Sequence, residues 1–175
     1  VKLQYNYIEM EKTQPVIGFF GDSYLHMGSF GTKQKQGESL EALLHITLRL
    51  NPSDIYIKAT RGTSVSFLGA LDFNDIPYTL VCPYPKYLYP CTPIEKEILK
   101  QAVPNAKSVI SMRHRKPHPK KMALALKDTD DFLLNTCDVL IFAVKDEVPP
   151  EFEELMNMAD SMGKDVICMS YTPGP

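Results

Sequence analysis

Thr60, Arg61, Gly62, Thr63 and Ser64 put three hydroxyls, a guanidinium and a glycine into five consecutive positions. They lie between a short apolar run, Ile55–Ala59, and a segment of helical period carrying Val65, Leu68 and Leu71. A helix opening here presents unpaired N–H groups and the positive end of its dipole, which together suit an anion. Arg61 could fork two oxygens of a phosphate. The same residues would also serve as a plain Ser or Thr N-cap beside a solvated arginine. The segment is not a Walker A loop, because the spacing and the lysine of that motif are missing.

A second group follows the first apolar run, Val16–Phe20: Gly21, Asp22 and Ser23. Gly21 permits close backbone approach, Ser23 offers a hydroxyl, and Asp22 suits a ribose hydroxyl or the orientation of a base. An ordinary turn with a local Asx bond is the competing reading. If the protein is an enzyme, Asp22 is the best catalytic candidate. Cleavage of an N-glycosidic bond needs a carboxylate beside the anomeric carbon, and Asp22, Asp146 and Glu147 are the acids at predicted strand ends.

A basic run from Arg113 to Lys121, with Arg115 and Lys116 inside it, follows the fourth strand-like segment, Ser108–Ser111. It could close over phosphates or contact single-stranded nucleic acid, or be a solvated loop. No aromatic is interleaved, so base stacking there is not expected. His114 and His118 lack a third ligand nearby, and no metal site is predicted. The stretch Lys145 to Pro150 has two acids, two prolines and no glycine, which argues against phosphate binding. Tyr78, Tyr84, Tyr87 and Tyr89 flank or fill a proline-rich stretch; they could stack a base or simply pack on the core.

The elements that must hold these groups alternate. Strands are predicted at Val16–Phe20, Ile55–Ala59, Tyr78–Cys82, Ser108–Ser111, Asp138–Val144 and Val166–Ser170. Helices are predicted from Ser39 to the stop at Asn51, Pro52 and Ser53, from Ser64 to Asn74, from Pro93 to Val103, from Lys121 to Asn135, and from Pro149 to Met162. The stretch GDSYLHMGSFGTKQKQ reads as a long loop. Leu40, Leu43, Leu44, Thr47, Leu48 and Leu50 form the apolar stripe of the first helix. Fully apolar short runs suit strands buried on both faces. The pattern predicts an α/β fold: a doubly wound, mainly parallel sheet of about six strands with helices on both faces, Rossmann-like, over residues 16–175, with residues 1–15 as an N-terminal extension. Ligands of such sheets sit beyond the carboxyl ends of the strands, where strand order reverses.

Composition agrees with one globular domain of 175 residues, 44% hydrophobic and 23% charged, with net charge −2. Bulk electrostatics therefore do not mark a polyanion binder. Cys82, Cys91, Cys137 and Cys168 form no CxxC pair and read as reduced, mostly buried thiols. The N-terminus lacks the apolar core of a secretory signal, and no run approaches the length of a membrane span, so a cytoplasmic location is expected. Beginning at Val1, the chain could belong to a longer protein.

The runs IGFFGDSYLHMGSF, YIKATRGTSVSFLGALDFNDIPYTLVCPYP, DDFLLNTCDVLIFAVKDE and MADSMGKDVICMS resemble the SLOG superfamily, and within it the YpsA-like branch. That group of Rossmann-like domains includes the LOG phosphoribohydrolases and the DprA-type DNA-uptake proteins. The resemblance covers Val16 to Ser170. It implies a pocket built on Gly21, Ser23, Arg61, Gly62, Thr63 and Ser64. The chain departs from the family at two places. Thr63 and Ser64 follow Gly62 where the branch has Gly-Val-Asp, and no Pro-Gly-Gly-x-Gly-Thr loop with its catalytic Glu is present.

The expected function is binding of a nucleotide or ADP-ribose-like small molecule at the carboxyl ends of the first two strands, as a sensing or sequestering module. The alternatives are a nucleotide N-glycosidic hydrolase or transferase, and a single-stranded nucleic-acid-binding domain. No cofactor is expected. The predicted partners are the small molecule and a second copy of the chain, and no membrane.

Overall fold

The computed structural model describes residues 2–4, 14–22, 33–60, 62–84, 92–113, 118–144 and 147–170. Seven strands form one sheet: β1 (Lys2–Gln4), β2 (Val16–Gly21), β3 (Asp54–Lys58), β4 (Thr79–Cys82), β5 (Ser108–Ser111), β6 (Val139–Val144) and β7 (Asp165–Ser170). Among the described residues, five α-helices connect them: α1 (Lys33–Arg49), α2 (Thr63–Phe73), α3 (Pro93–Asn105), α4 (Met122–Thr136) and α5 (Pro150–Ser161). The spatial order is β1-β7-β6-β2-β3-β4-β5. The six strands from β2 to β7 are parallel, and the short β1 adds antiparallel to β7 at one edge. The expected doubly wound, Rossmann-like α/β fold is therefore present.

Side chains of the central strands alternate between two cores, as the two-residue period of a strand requires. Ile17 and Phe19 of β2, Ile55 and Ile57 of β3, and Val139 and Ile141 of β6 face one core with Leu43, Phe67, Leu71 and Leu99 of α1, α2 and α3. Phe20 of β2, with Leu140, Phe142 and Val144 of β6, faces the other, which holds Leu133 of α4 and Phe152 of α5. Both faces of β6 are buried, which is why its sequence VLIFAV carries no polar residue.

From β2 the chain winds outward through β3 and β4 to β5, then returns to place β6 on the other flank of β2. Strand order therefore reverses between β2 and β6. In sheets of this class ligands bind in the crevice at such a reversal.

Helix limits follow local chemistry. Thr92 and Glu95 form a capping box at the start of α3, with Pro93 in the first turn. Gly163, at φ 72°, takes the left-handed position just past α5 that glycine accepts without strain. Two expectations are corrected. Helix α1 begins at Lys33, within the stretch read as a loop, because Lys and Gln are good helix formers even without an apolar stripe. Its buried stripe is Leu43, Ile46 and Thr47, while Leu48 is exposed, since a 100° step per residue turns it off the core face. In addition, Lys2–Gln4 of the N-terminal extension joins the sheet. Among the described residues no helix is long and apolar enough to cross a membrane.

Candidate functional site

The carboxyl end of β2 meets the first turn of α2. A Cβ added to Gly21 would lie 2.6 Å from Thr63 Cβ and 2.7 Å from the Ser64 backbone nitrogen. Only glycine lets strand and helix approach so closely. Asp22 continues the β2 edge by donating its N–H to the Ala143 carbonyl at 3.1 Å. Its own carbonyl accepts the Thr63 N–H at 3.0 Å, and its Oδ1 accepts the Thr63 hydroxyl at 2.9 Å. Asp22 is thus a buried bracket between β6, β2 and α2.

Gly62, at φ 90°, precedes α2. Its N–H donates to Glu95 Oε2 at 2.6 Å, while Glu95 Oε1 accepts the Thr92 N–H at 3.1 Å. One buried carboxylate therefore binds the N-terminal amides of two helices, α2 and α3. The Gly62 amide, one of those expected to face a ligand's anion, donates to the chain's own Glu95, because the helix dipole attracts a carboxylate as readily as a phosphate. Gly62, Thr63 and Ser64 are all buried. The Ser64 Oγ has no hydrogen-bond partner.

Among the described residues, an open cleft lies on the other face of the sheet. A cleft of about 880 Å³ runs between α4 and α5, above the ends of β2 and β3. Gly21, Asp22, Lys58 and Thr60 line its sheet side. Helix α4 contributes Leu126, Lys127, Asp130 and Asp131; helix α5 and the residue before it contribute Pro149, Glu151, Phe152, Glu154, Leu155 and Met158. The spacing 151, 154, 155, 158 is one face of a helix, so these α5 side chains point the same way. Volume and setting suit a small-molecule site.

At the bottom, Lys58 reaches from the last position of β3 to Asp130 Oδ1 at 2.7 Å, and its Nζ stands 4.9 Å from the centroid of the Phe20 ring. Phe20 stacks on Phe142 at 4.8 Å, and Phe152 packs edge-on against both. The lysine thus caps an aromatic cluster with its charge turned to a carboxylate. Among the described residues, five carboxylates line the cleft, those of Asp22, Asp130, Asp131, Glu151 and Glu154, beside the two ammonium groups of Lys58 and Lys127.

Of the residues singled out in the sequence, Gly21, Asp22 and Thr60 line the cleft, and Gly62, Thr63 and Ser64 lie buried directly against Gly21 and Asp22. Arg113 does not join them; it pairs with Asp128 of α4 at 2.5 Å on the surface. Ser23, Arg61 and Arg115 lie outside the described residues, as do Tyr87, Tyr89 and Asp146. Tyr78 stands before β4, at the amino end of the sheet, and its hydroxyl donates to the Ala102 carbonyl, so it belongs to the core and not to a ligand rim. Tyr84 is also buried. Among the described residues no three His, Cys, Asp or Glu side chains gather as metal ligands.

Reading the sequence missed Lys58, Asp130 and the α5 face. A lysine directly after the apolar run Ile55-Tyr56-Ile57 was the available signal for the first. Nothing in the sequence joined it to an aspartate 72 positions away. Burial pushes the thiols of Cys82 and Cys137 up to about 11 and about 12, in keeping with the inert, reduced cysteines expected. No protein-family model matches the chain, and no curated protein matches its sequence.

Proposed function

We propose that the chain is a SLOG-like module that binds a nucleotide-like small molecule, of the nucleotide or ADP-ribose type, in the cleft between α4 and α5, and senses or sequesters it without turnover. The observation that carries this reading is the cleft's position: about 880 Å³ of space above Gly21 and Asp22, at the reversal of strand order between β2 and β6.

The lining suits a nucleoside. Ribose hydroxyls and exocyclic amines are donors, and carboxylates are acceptors. The apolar side chains of Leu126, Phe152, Leu155 and Met158 offer surface to a base. Binding is favoured over turnover because the carboxylate of Asp22, the best catalytic candidate, already accepts the Thr63 hydroxyl through Oδ1. A carboxylate so engaged is poorly placed to act at an anomeric carbon.

The test is a thermal-unfolding screen against nucleosides and nucleotides, preceded by mass spectrometry of small molecules released on denaturing the native protein. A ligand at a hundred times its Kd stabilises by about 2.7 kcal/mol. The expected result is a stabilising ligand whose effect disappears in Leu155→Trp, which fills the cleft. A shift that survives Leu155→Trp, or no shift with any member of the panel, overturns the assignment.

A further inference from the structure

We propose that Lys58 is the group that receives an anionic oxygen of the ligand, from a phosphate or a carboxylate, and that Asp130 holds this place on the ammonium until the ligand arrives. The inference rests on the cleft being the binding site and adds to it which residue reads charge there. Lys58 is only 11% exposed, yet it lines the cleft. An ammonium has three donors. Among the described residues one goes to Asp130, and the ring of Phe20 lies beneath the charge without accepting a conventional hydrogen bond. Two donors are left at the cleft floor.

Stability alone does not account for the lysine. A part-buried ion pair commonly contributes no more than apolar side chains of the same size, and this one sits against Phe20, where methionine would pack. Its partner belongs to a different element, α4, and is itself a cleft wall. Asp130 therefore satisfies the ammonium in the free protein and competes with an incoming anion. The neighbouring Asp131, Glu151 and Glu154 repel further negative charge, so one anionic group is admitted next to Lys58 and the rest of the ligand is neutral or donor-rich.

Isothermal titration with three sets of probes tests this: the four common ribonucleosides, their 5′-monophosphates together with ADP-ribose, and nucleoside 5′-carboxylates. Each is titrated into wild type, Lys58→Met and Asp130→Asn, with circular dichroism and Tm recorded for every protein. In Lys58→Met the anionic probes are expected to bind about tenfold more weakly or worse, and the uncharged nucleosides within about twofold of wild type. Asp130→Asn is expected to act in the opposite direction, tightening the anionic probes. The phosphate and carboxylate arms tell which anion is preferred. Equal losses for charged and uncharged probes in Lys58→Met, or unchanged or weaker anion binding in Asp130→Asn, overturn the role of Lys58 while leaving the cleft as a binding site. If no nucleoside or nucleotide binds the wild type, both the site and the role of Lys58 fall.

Discussion

The Glu95 carboxylate on α3 accepts the N–H of Gly62 at the start of α2 at 2.6 Å. The same carboxylate closes the capping box of its own helix through Thr92. Two helix N-termini, each the positive end of a dipole, are therefore neutralised by one side chain. This contact places a carboxylate of the chain itself on the Gly62 amide, at the helix start that looked most like a phosphate seat, and among the described residues a cleft opens on the opposite face of the sheet, between α4 and α5.

Glu95→Ala should be strongly destabilising, because this buried carboxylate serves two helices. It removes a helix cap and a charge-assisted hydrogen bond to a buried amide, together about 2–4 kcal/mol. Urea unfolding followed by circular dichroism measures it. A loss below about 0.5 kcal/mol would mean the carboxylate is not needed at either helix.

Gly21→Ala should also destabilise, by roughly 1–3 kcal/mol, because the new methyl meets the Ser64 backbone nitrogen at 2.7 Å and cannot be relieved by a side-chain rotation. The strain should push α2 away from β2, and loss of amide-exchange protection at Asp22 and Thr63 would report it. An alanine variant as stable as wild type contradicts the close approach.

Asp22→Asn should be milder. The amide oxygen still accepts the Thr63 hydroxyl, and what is lost is negative charge near the start of α2, about 0.5–1 kcal/mol. Ligand-induced stabilisation should persist in this variant. Turnover of a nucleotide by the wild type, abolished in Asp22→Asn, would reverse the choice of binding over catalysis.

Alkaline pH should weaken the fold. The thiols of Cys82 and Cys137 are pushed up to about 11 and about 12 by burial, whereas in the unfolded chain they ionise near their ordinary value of about 8.5. Between those values the unfolded state has lost protons that the native state keeps, so stability falls as pH rises. It is complete below about pH 8 and declines by at most about 1.4 kcal/mol per pH unit for each thiol above 9. Unfolding curves at pH 7.5 and pH 10 check the sign. Correspondingly, a thiol reagent at pH 8 should leave both cysteines unmodified until denaturant is added.

Much of the fold was legible because its signals are local. The runs VIGFF, IYIKA and VLIFAV are short and mostly apolar, which suits strands, and Pro93, Pro149 and Gly163 punctuate the helices between them. The start of α1 was not legible, since Lys33 to Gln36 carry no apolar period, and neither was β1, three residues whose strand character comes only from pairing with β7.

The site divided along the same line. Gly21 and Asp22 at the end of β2, and Thr60 to Ser64 at the start of α2, were readable as neighbours of strand ends because sequence order alone puts them there. What they do was not readable. A helix N-terminus looks the same in sequence whether a ligand or Glu95, 33 positions on, fills it.

Sequence alone determined the alternation of strand and helix, and with it the parallel sheet, because hydrophobic period and turn residues act over a few neighbours. The tertiary structure decided which carboxylate meets the Gly62 amide, where the cleft between α4 and α5 lies and which lysine meets which aspartate. Those outcomes depend on pairs such as Gly62 with Glu95 and Lys58 with Asp130, brought together by strand order and packing across distances that no local pattern encodes.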